Sequence, residues 1–143
     1  MWFRKFSLED IKALAKNNML EHIGIELTEL GEDFVKAKMP VDHRTVQPAG
    51  LLHGGASVAL AESLGSIGAY LCIDIEKKYC VGLDINANHV RGVSSGYVYG
   101  TARPLHIGKS TQVWEIKIEN EEKKLVCISR ITMAVIERKD FTA

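Results

Sequence analysis

The longest continuous feature of the chain is apolar. From Gly54 to Ile75 it is rich in Gly, Ala and Ser and almost free of charge, yet it holds Glu62 near its middle. An ionisable group at mid-span is costly in lipid, so this pattern predicts a buried soluble helix covered on most sides, not a membrane span. Four downstream runs have the character of strands: Tyr79 to Val90, Tyr97 to His106, Ser110 to Asn120 and Leu125 to Ile136. In the third, Gln112, Trp114, Ile116 and Ile118 alternate with Val113, Glu115, Lys117 and Glu119, giving one apolar and one largely polar face. Turn-like segments at Arg91 to Gly96, Gly108-Lys109 and Asn120 to Lys124 separate the runs, which predicts an antiparallel sheet.

Upstream, Ser7 can cap a short helix to about Asn18, with Asp10 in a capping-box position and Leu8, Ile11, Leu14 and Ala15 on one face. Ile25 and Leu27, then Phe34, Ala37 and Met39 after a Gly31-Glu32-Asp33 turn, alternate loosely with Glu26, Lys36 and Lys38; this reads as a hairpin closed by Pro40. Val41 to Leu52, with His43, Arg44, Gln47, Pro48 and Gly50, has neither period and is a loop long enough to carry function. The whole predicts an α+β domain, one long central helix wrapped by a curved antiparallel sheet of about six strands. A single sheet leaves its outer strand edge open, and Gly65, Gly68 and Ala69 would let a second helix approach, so dimerisation is expected.

Composition narrows this picture. With 143 residues, 46% of them hydrophobic, the chain can fill one core, and a single domain over 1–143 is expected. Lys plus Arg and Asp plus Glu both number 18, so no field draws in nucleic acid or an anionic membrane, and any anion must be held locally. Cys72, Cys80 and Cys127 suit core thiols in a reducing compartment better than a disulfide framework. Arg4 and Lys5 run into Ser7-Leu8-Glu9-Asp10 instead of an apolar secretion stretch, which points to the cytoplasm.

Glu62 is the sharpest chemical feature, because a carboxylate in an apolar helix persists only if exposed, paired or useful; a helix-surface position or a structural pairing with Arg91 would equally account for it. Ser66, four residues on, shares its face and can reach it or a water beside it. His53-Gly54-Gly55 opens the helix, where free N–H groups can polarise a carbonyl oxygen or simply shape a turn. His53 could orient a substrate or cap the helix, and Gln47 could donate an amide or hydrate the loop. His89-Val90-Arg91-Gly92 and His106-Ile107-Gly108-Lys109-Ser110-Thr111 stand at strand ends and can hold phosphates or serve as solvated turns. Five histidines without metal-ligand spacing predict no metal, and no Gly-x-Ser-x-Gly or phosphate-loop pattern occurs.

The run from Gln47-Pro48-Ala49-Gly50 through His53-Gly54-Gly55 to Ala61-Glu62-Ser63, followed by Val81-Gly82-Leu83-Asp84 to His89-Val90-Arg91, resembles the hotdog-fold thioesterases acting on 1,4-dihydroxy-2-naphthoyl-CoA and 4-hydroxybenzoyl-CoA. A weaker likeness extends from Met39-Pro40-Val41-Asp42 through Pro104-Leu105-His106-Ile107-Gly108 and Gln112-Val113-Trp114 to the last strand. The resemblance implies an acyl-CoA thioesterase without cofactor, with Glu62 as nucleophile or base for water, Gly54 and Gln47 polarising the thioester, and Ser66 steering the water. It implies further that His53 contacts the acyl group, while Gly82, His89 to Gly92 and His106 to Thr111 form the coenzyme A groove. Ala49 departs from the family, which places a bulky aromatic there, and so implies a differently shaped acyl pocket.

Aromatic acyl-CoA esters, including those of menaquinone biosynthesis, are the implied substrates, with proofreading of mischarged acyl carrier proteins or non-catalytic acyl-CoA binding as alternatives. A dehydratase of this fold would place its histidine in the loop, where Gln47 stands, and a sensor would lose the carboxylate at Glu62. Gly54 and Glu62 are eight positions apart, roughly 12 Å along a helix, too far for one thioester to touch both. Each site is therefore expected to combine Glu62 of one subunit with Gln47, His53 and Gly54 of another, in a homodimer and with a homotetramer as the assembly.

Overall fold

The computed structural model describes residues 1–140. The elements run α1 (Leu8–Lys12), α2 (Met19–His22), β1 (Glu26–Leu30), β2 (Val35–Pro40), α3 (Gly54–Leu71), β3 (Lys78–His89), β4 (Tyr97–Ile107), β5 (Thr111–Glu119) and β6 (Leu125–Glu137). Six antiparallel strands form one sheet in the order β1-β2-β4-β5-β6-β3, and α3 packs against it. This is the hotdog arrangement. Among the described residues no helix is long and apolar enough to cross a membrane.

The alternation in β5 becomes packing directly: Gln112, Trp114, Ile116 and Ile118 are all buried beneath α3. Gln112 is tolerable there because its amide oxygen accepts from Trp114 Nε1 at 2.9 Å and its nitrogen donates to the Ala69 carbonyl at 3.4 Å. The N-terminal segment closes this end of the core. Trp2 stacks on Trp114 with ring centroids 6.3 Å apart, its Nε1 donates to the Gly31 carbonyl at 2.8 Å, and the Phe3 N–H donates to the Leu71 carbonyl at 2.8 Å.

Four expectations are corrected. The first helix does form with its Ser7–Asp10 capping box, but it ends at Lys12 and tightens into a 3₁₀ turn at Ala13–Ala15. Asn17, at φ 59°, then reverses the chain, and the Asn18 side chain caps α2. Leu14 consequently leaves the buried face held by Ile11 and Ala15. In the hairpin the buried set is Val35, Ala37 and Met39, with Phe34 only half-buried, since the turn ends one residue later than the apolar pattern implies.

Gly65, Gly68 and Ala69 do not face outward. A Cβ on Gly65 would stand 2.5 Å from Ile131 Cγ2, and one on Gly68 2.7 Å from the Trp114 ring, so these positions seat α3 on its own sheet and leave no surface for a partner helix. Nor is α3 covered on most sides within the chain. Gly55, Val58, Ala59, Glu62, Ser63, Ser66 and Tyr70 form a stripe at helical spacing that the sheet leaves uncovered.

Candidate active site

The uncovered stripe is the floor of a cleft of about 530 Å³, walled by Leu14, Met19 and Leu20 and containing Glu62 and Ser66. Glu62 is exposed and makes no hydrogen bond or ion pair with any described residue; Arg91 instead donates its Nε to the Leu125 carbonyl at 3.2 Å. Pairing with a structural arginine is thereby removed as the reason for Glu62. Its Oε1 lies 3.1 Å from the place where a Cβ on Gly82 would stand. Gly82 sits in β3 just before a register shift at Leu83, and its missing side chain leaves room for the carboxylate. The sequence reading put Gly82 in the coenzyme A groove; the fold puts it against Glu62, a contact between α3 and β3 that no local pattern reveals.

Ser66 is half-buried, and its Oγ has Met133 Sδ at 3.9 Å as its contact, not Glu62. At the start of α3, His53 caps the helix: Nδ1 accepts from the Gly55 N–H at 2.7 Å, so a neutral His53 ring carries its proton on Nε2. The Gly54 N–H is left without an acceptor among the described residues, at the positive end of the helix dipole. His89 lies beside it, with Nε2 3.0 Å from a Cβ built on Gly54.

The loop before α3 is tied to itself. The Gln47 carbonyl accepts from the Gly50 N–H at 2.8 Å, the Gln47 N–H donates to the Leu51 carbonyl at 2.8 Å, and the Gln47 side-chain oxygen accepts from the Ala49 N–H. That leaves the Gln47 amide nitrogen as the free donor end. Further back, the Arg44 guanidinium holds the Asp42 carboxyl down at about 2 by a 2.7 Å hydrogen bond and ion pair.

The two stretches expected to hold coenzyme A are separate within one chain. Thr111 pairs with Ala134 and Ala134 with Val81, whereas His89 lies eight residues further along β3, about 26 Å away at roughly 3.3 Å per residue. His89, Val90, Arg91 and Gly92 lie near the start of α3, where a Cβ built on Gly92 would stand 3.5 Å from Leu51. His106, Ile107, Gly108, Lys109, Ser110 and Thr111 form the opposite end, pinned by Gly108 N–H to Thr111 carbonyl at 2.8 Å and Val135 N–H to Ser110 carbonyl at 2.9 Å. Burial raises the thiols of Cys72 and Cys80 to about 11, and that of Cys127 is also raised by burial, so none is placed as a nucleophile.

A family model for the thioesterase superfamily matches residues 49–127, spanning the Gln47–Glu62 region from Ala49 onward and the strands behind it. The chain belongs to this superfamily. It is a thioester hydrolase of the hotdog fold, 51% identical over 136 residues (95% of this chain, 99% of the other) to the 1,4-dihydroxy-2-naphthoyl-CoA hydrolase of Escherichia coli. It is 48% identical over 136 residues (95% and 98%) to a proofreading thioesterase of Cronobacter turicensis. Its fold superposes on the crystal structure of a Haemophilus influenzae thioesterase with a TM-score of 0.93, at 51% identity and with 99% of each chain covered.

Proposed function

We propose that this chain, as a single catalytic domain, hydrolyses aromatic acyl-CoA thioesters of the hydroxybenzoyl or dihydroxynaphthoyl kind, with Glu62 as the reacting carboxylate. The observation that carries this is an exposed carboxylate without a cationic partner, set in an apolar cleft and given its space by Gly82. Glu62 either attacks the thioester carbonyl to form an anhydride or takes a proton from the attacking water; in both cases coenzyme A leaves as thiolate and water supplies the second oxygen of the acid. Water and a carboxylate suffice for this chemistry. Negative charge grows on the carbonyl oxygen, and the Gly54 N–H, reinforced by the helix dipole and the Gln47 amide, is suited to receive it. Ser66, one turn from Glu62, would hold the water, and His53 Nε2 would face the acyl group.

The groups fall too far apart for one chain. Eight α3 residues separate Gly54 from Glu62, about 12 Å. The outer edge of β3 is unpaired, and Leu83 within it and Val90 just after it are exposed, so edge-to-edge pairing of two β3 strands would place the bare stripes of two helices together and join the two coenzyme A stretches across subunits. A second source of substrate, a mischarged carrier protein, is favoured by the 48% identity to a proofreading thioesterase; both thioesters present the same pantetheine arm.

The test mixes two damaged enzymes, Glu62→Gln and Gln47→Ala/His53→Ala, on hydroxybenzoyl-CoA after reversible dissociation. Each parent should turn over about a hundredfold or more slower than wild type. Random exchange makes half the dimers hybrids, each with one intact site, so activity should climb toward about a quarter of wild type. Verified exchange without recovery would show that the site is built within one subunit, and a fast Glu62→Gln parent would remove the carboxylate from the mechanism.

A further inference from the structure

The cleft over Glu62 does not end at Ser66. A second cavity of about 360 Å³ adjoins it and shares Leu14, Ser66 and Ile67 as walls, continuing past Tyr70 to the start of β3 and the end of β6. Its lining is mostly apolar until the far end, where Lys78 and Arg138 stand. Arg138 is held in place from three sides: its backbone N–H donates to the Lys77 carbonyl at 2.8 Å, its Nε donates to the Ile75 carbonyl, and its guanidinium lies 5.0 Å from the Tyr79 ring centroid. A guanidinium has five N–H donors, and the Nε tether uses one of them. Among the described residues neither cation has a carboxylate partner: Asp74 pairs with Lys77 at 3.8 Å, and Glu137, opposite Lys78 across the strands, forms no ion pair with it. The same end of the sheet carries the β4–β5 stretch, since the Ser110 carbonyl accepts from the Val135 N–H and Thr111 pairs with Ala134. Antiparallel pairing of two β3 edges would set His89 to Gly92 of the partner subunit beside the start of β3 as well. The cations therefore stand where the proposed dimer gathers both coenzyme A stretches.

We propose that the pantetheine arm of the thioester lies in this second cavity, and that Lys78 and Arg138 hold the phosphate at the end of the arm. The acyl group keeps the cleft walled by Met19 and Leu20. Length decides which end of the substrate the cations meet. Glu62 and Tyr70 are eight positions apart on α3, about 12 Å, and the cations stand beyond Tyr70, a gap that an aromatic acyl group is too short to bridge. An extended pantetheine arm has the bonds of between four and five residues of extended chain and spans roughly 15 Å. Its methylenes and dimethyl carbon suit apolar walls. Its phosphate needs fixed donors, and a planar guanidinium already oriented by protein contacts meets it at little further entropic cost. Coenzyme A and a phosphopantetheinylated carrier protein both carry this phosphate, so the cations would serve either source.

The inference rests on Glu62 being the reacting group, and the experiment separates the two. Hydroxybenzoyl thioesters of coenzyme A, 4′-phosphopantetheine, pantetheine and a phosphopantetheinylated carrier protein are compared in wild type, Arg138→Met, Arg138→Lys and Lys78→Met. In wild type, kcat/KM should be about tenfold or more higher for the phosphopantetheine ester than for the pantetheine ester. Arg138→Met and Lys78→Met should each remove most of that advantage through KM, with the same loss on the coenzyme A and carrier-protein esters. The pantetheine ester, which has no phosphate, should change less than about twofold, and Arg138→Lys should restore part of the loss. Arg138 also ties the Ile75 carbonyl, so if Arg138→Met lowers Tm, Lys78→Met decides. Equal losses on all esters, or no advantage of phosphopantetheine over pantetheine in wild type, overturn the proposal. So does a loss confined to the coenzyme A ester, which would put the cations on the nucleotide beyond the arm. If Glu62→Gln leaves pantetheine-ester hydrolysis fast, the reacting group has been misassigned, whatever the cations bind.

Discussion

The two faces of α3 share one backbone and differ in almost everything else. On the inner face Leu60, Leu64, Gly65 and Gly68 lie against the sheet, where Trp114, Ile116 and Ile131 fill the space the glycines leave. On the outer face Gly55, Ser63, Ser66 and Glu62 line an open cleft. Small residues occur on both, for opposite reasons. Inside, a missing side chain is occupied by another side chain of the same molecule; outside, it leaves volume for a ligand. The identity of the helix residue does not separate these cases, but what fills the vacated space does. It follows that inner substitutions should move stability and spare chemistry, while outer ones should do the reverse.

The largest expected effect on the inner side is that of Gly68→Ala. Alanine in a helix interior gains about 1 kcal/mol over glycine, whereas overpacking a core costs about 1–3 kcal/mol or more. The new Cβ would stand 2.7 Å from the Trp114 ring, and Trp114 is backed by the stacked Trp2. The clash should win, with a net loss of about 2 kcal/mol and a fall in Tm of roughly 6 °C at an unchanged kcat per folded molecule. An unchanged Tm would show that the indole yields and that the inner face is looser than its geometry says.

Gly82→Ala moves the comparison to the strand facing the cleft, and here stability and activity should part in sign. Alanine in a strand interior is favoured over glycine by about 0.5–1 kcal/mol, so the fold should hold or gain slightly. Its Cβ at 3.1 Å would press on Glu62 Oε1 and shift the carboxylate by a few tenths of an ångström. Since a misplacement of about 1 Å can cost a hundredfold, kcat should fall about tenfold with KM little changed. A variant that keeps full kcat would break the link between Gly82 and the position of Glu62.

How much of this was legible in the sequence depends on whether the signal was local. The alternation in Gln112 to Glu119, the turn at Gly31-Glu32-Asp33 and the uncharged run around Glu62 each reflect their own burial; strands and hairpin follow from them within a residue or two, and the helix starts at Gly54 as expected but ends at Leu71, four residues before Ile75. Contacts between distant segments left no such trace. Nothing local tells that β3 crosses to the far edge of the sheet beside β6, that Gly65 and Gly68 meet Ile131 and Trp114, or that Gly82 faces Glu62. The resemblance named His89 to Gly92 and His106 to Thr111 for one groove, whereas the register places them toward opposite ends of β3 within one chain, a separation that no local pattern reveals. The break at Asn17 was missed because a left-handed asparagine is a single-residue event inside an otherwise helical pattern. That break is what turns Leu14 from the core toward the cleft.

The smallest effect belongs to Ser66, and it tests the outer face most finely. Its hydroxyl has only the weakly accepting Met133 sulfur at 3.9 Å, so its loss should leave no buried donor unsatisfied and the Tm of Ser66→Ala should stay within about 1 °C. A single hydrogen bond to the attacking water is worth about 1 kcal/mol net, which predicts a fall in kcat of about fivefold, with KM unchanged because the water and not the thioester loses its contact. Ser63 is the matched control on the same face. Its Oγ already donates to the Ala59 carbonyl at 2.7 Å within the helix, so Ser63→Ala should change kcat less than twofold. If both serines cost the same, the outer face is only a polar wall, and orientation of the water must come from Glu62 and the backbone alone.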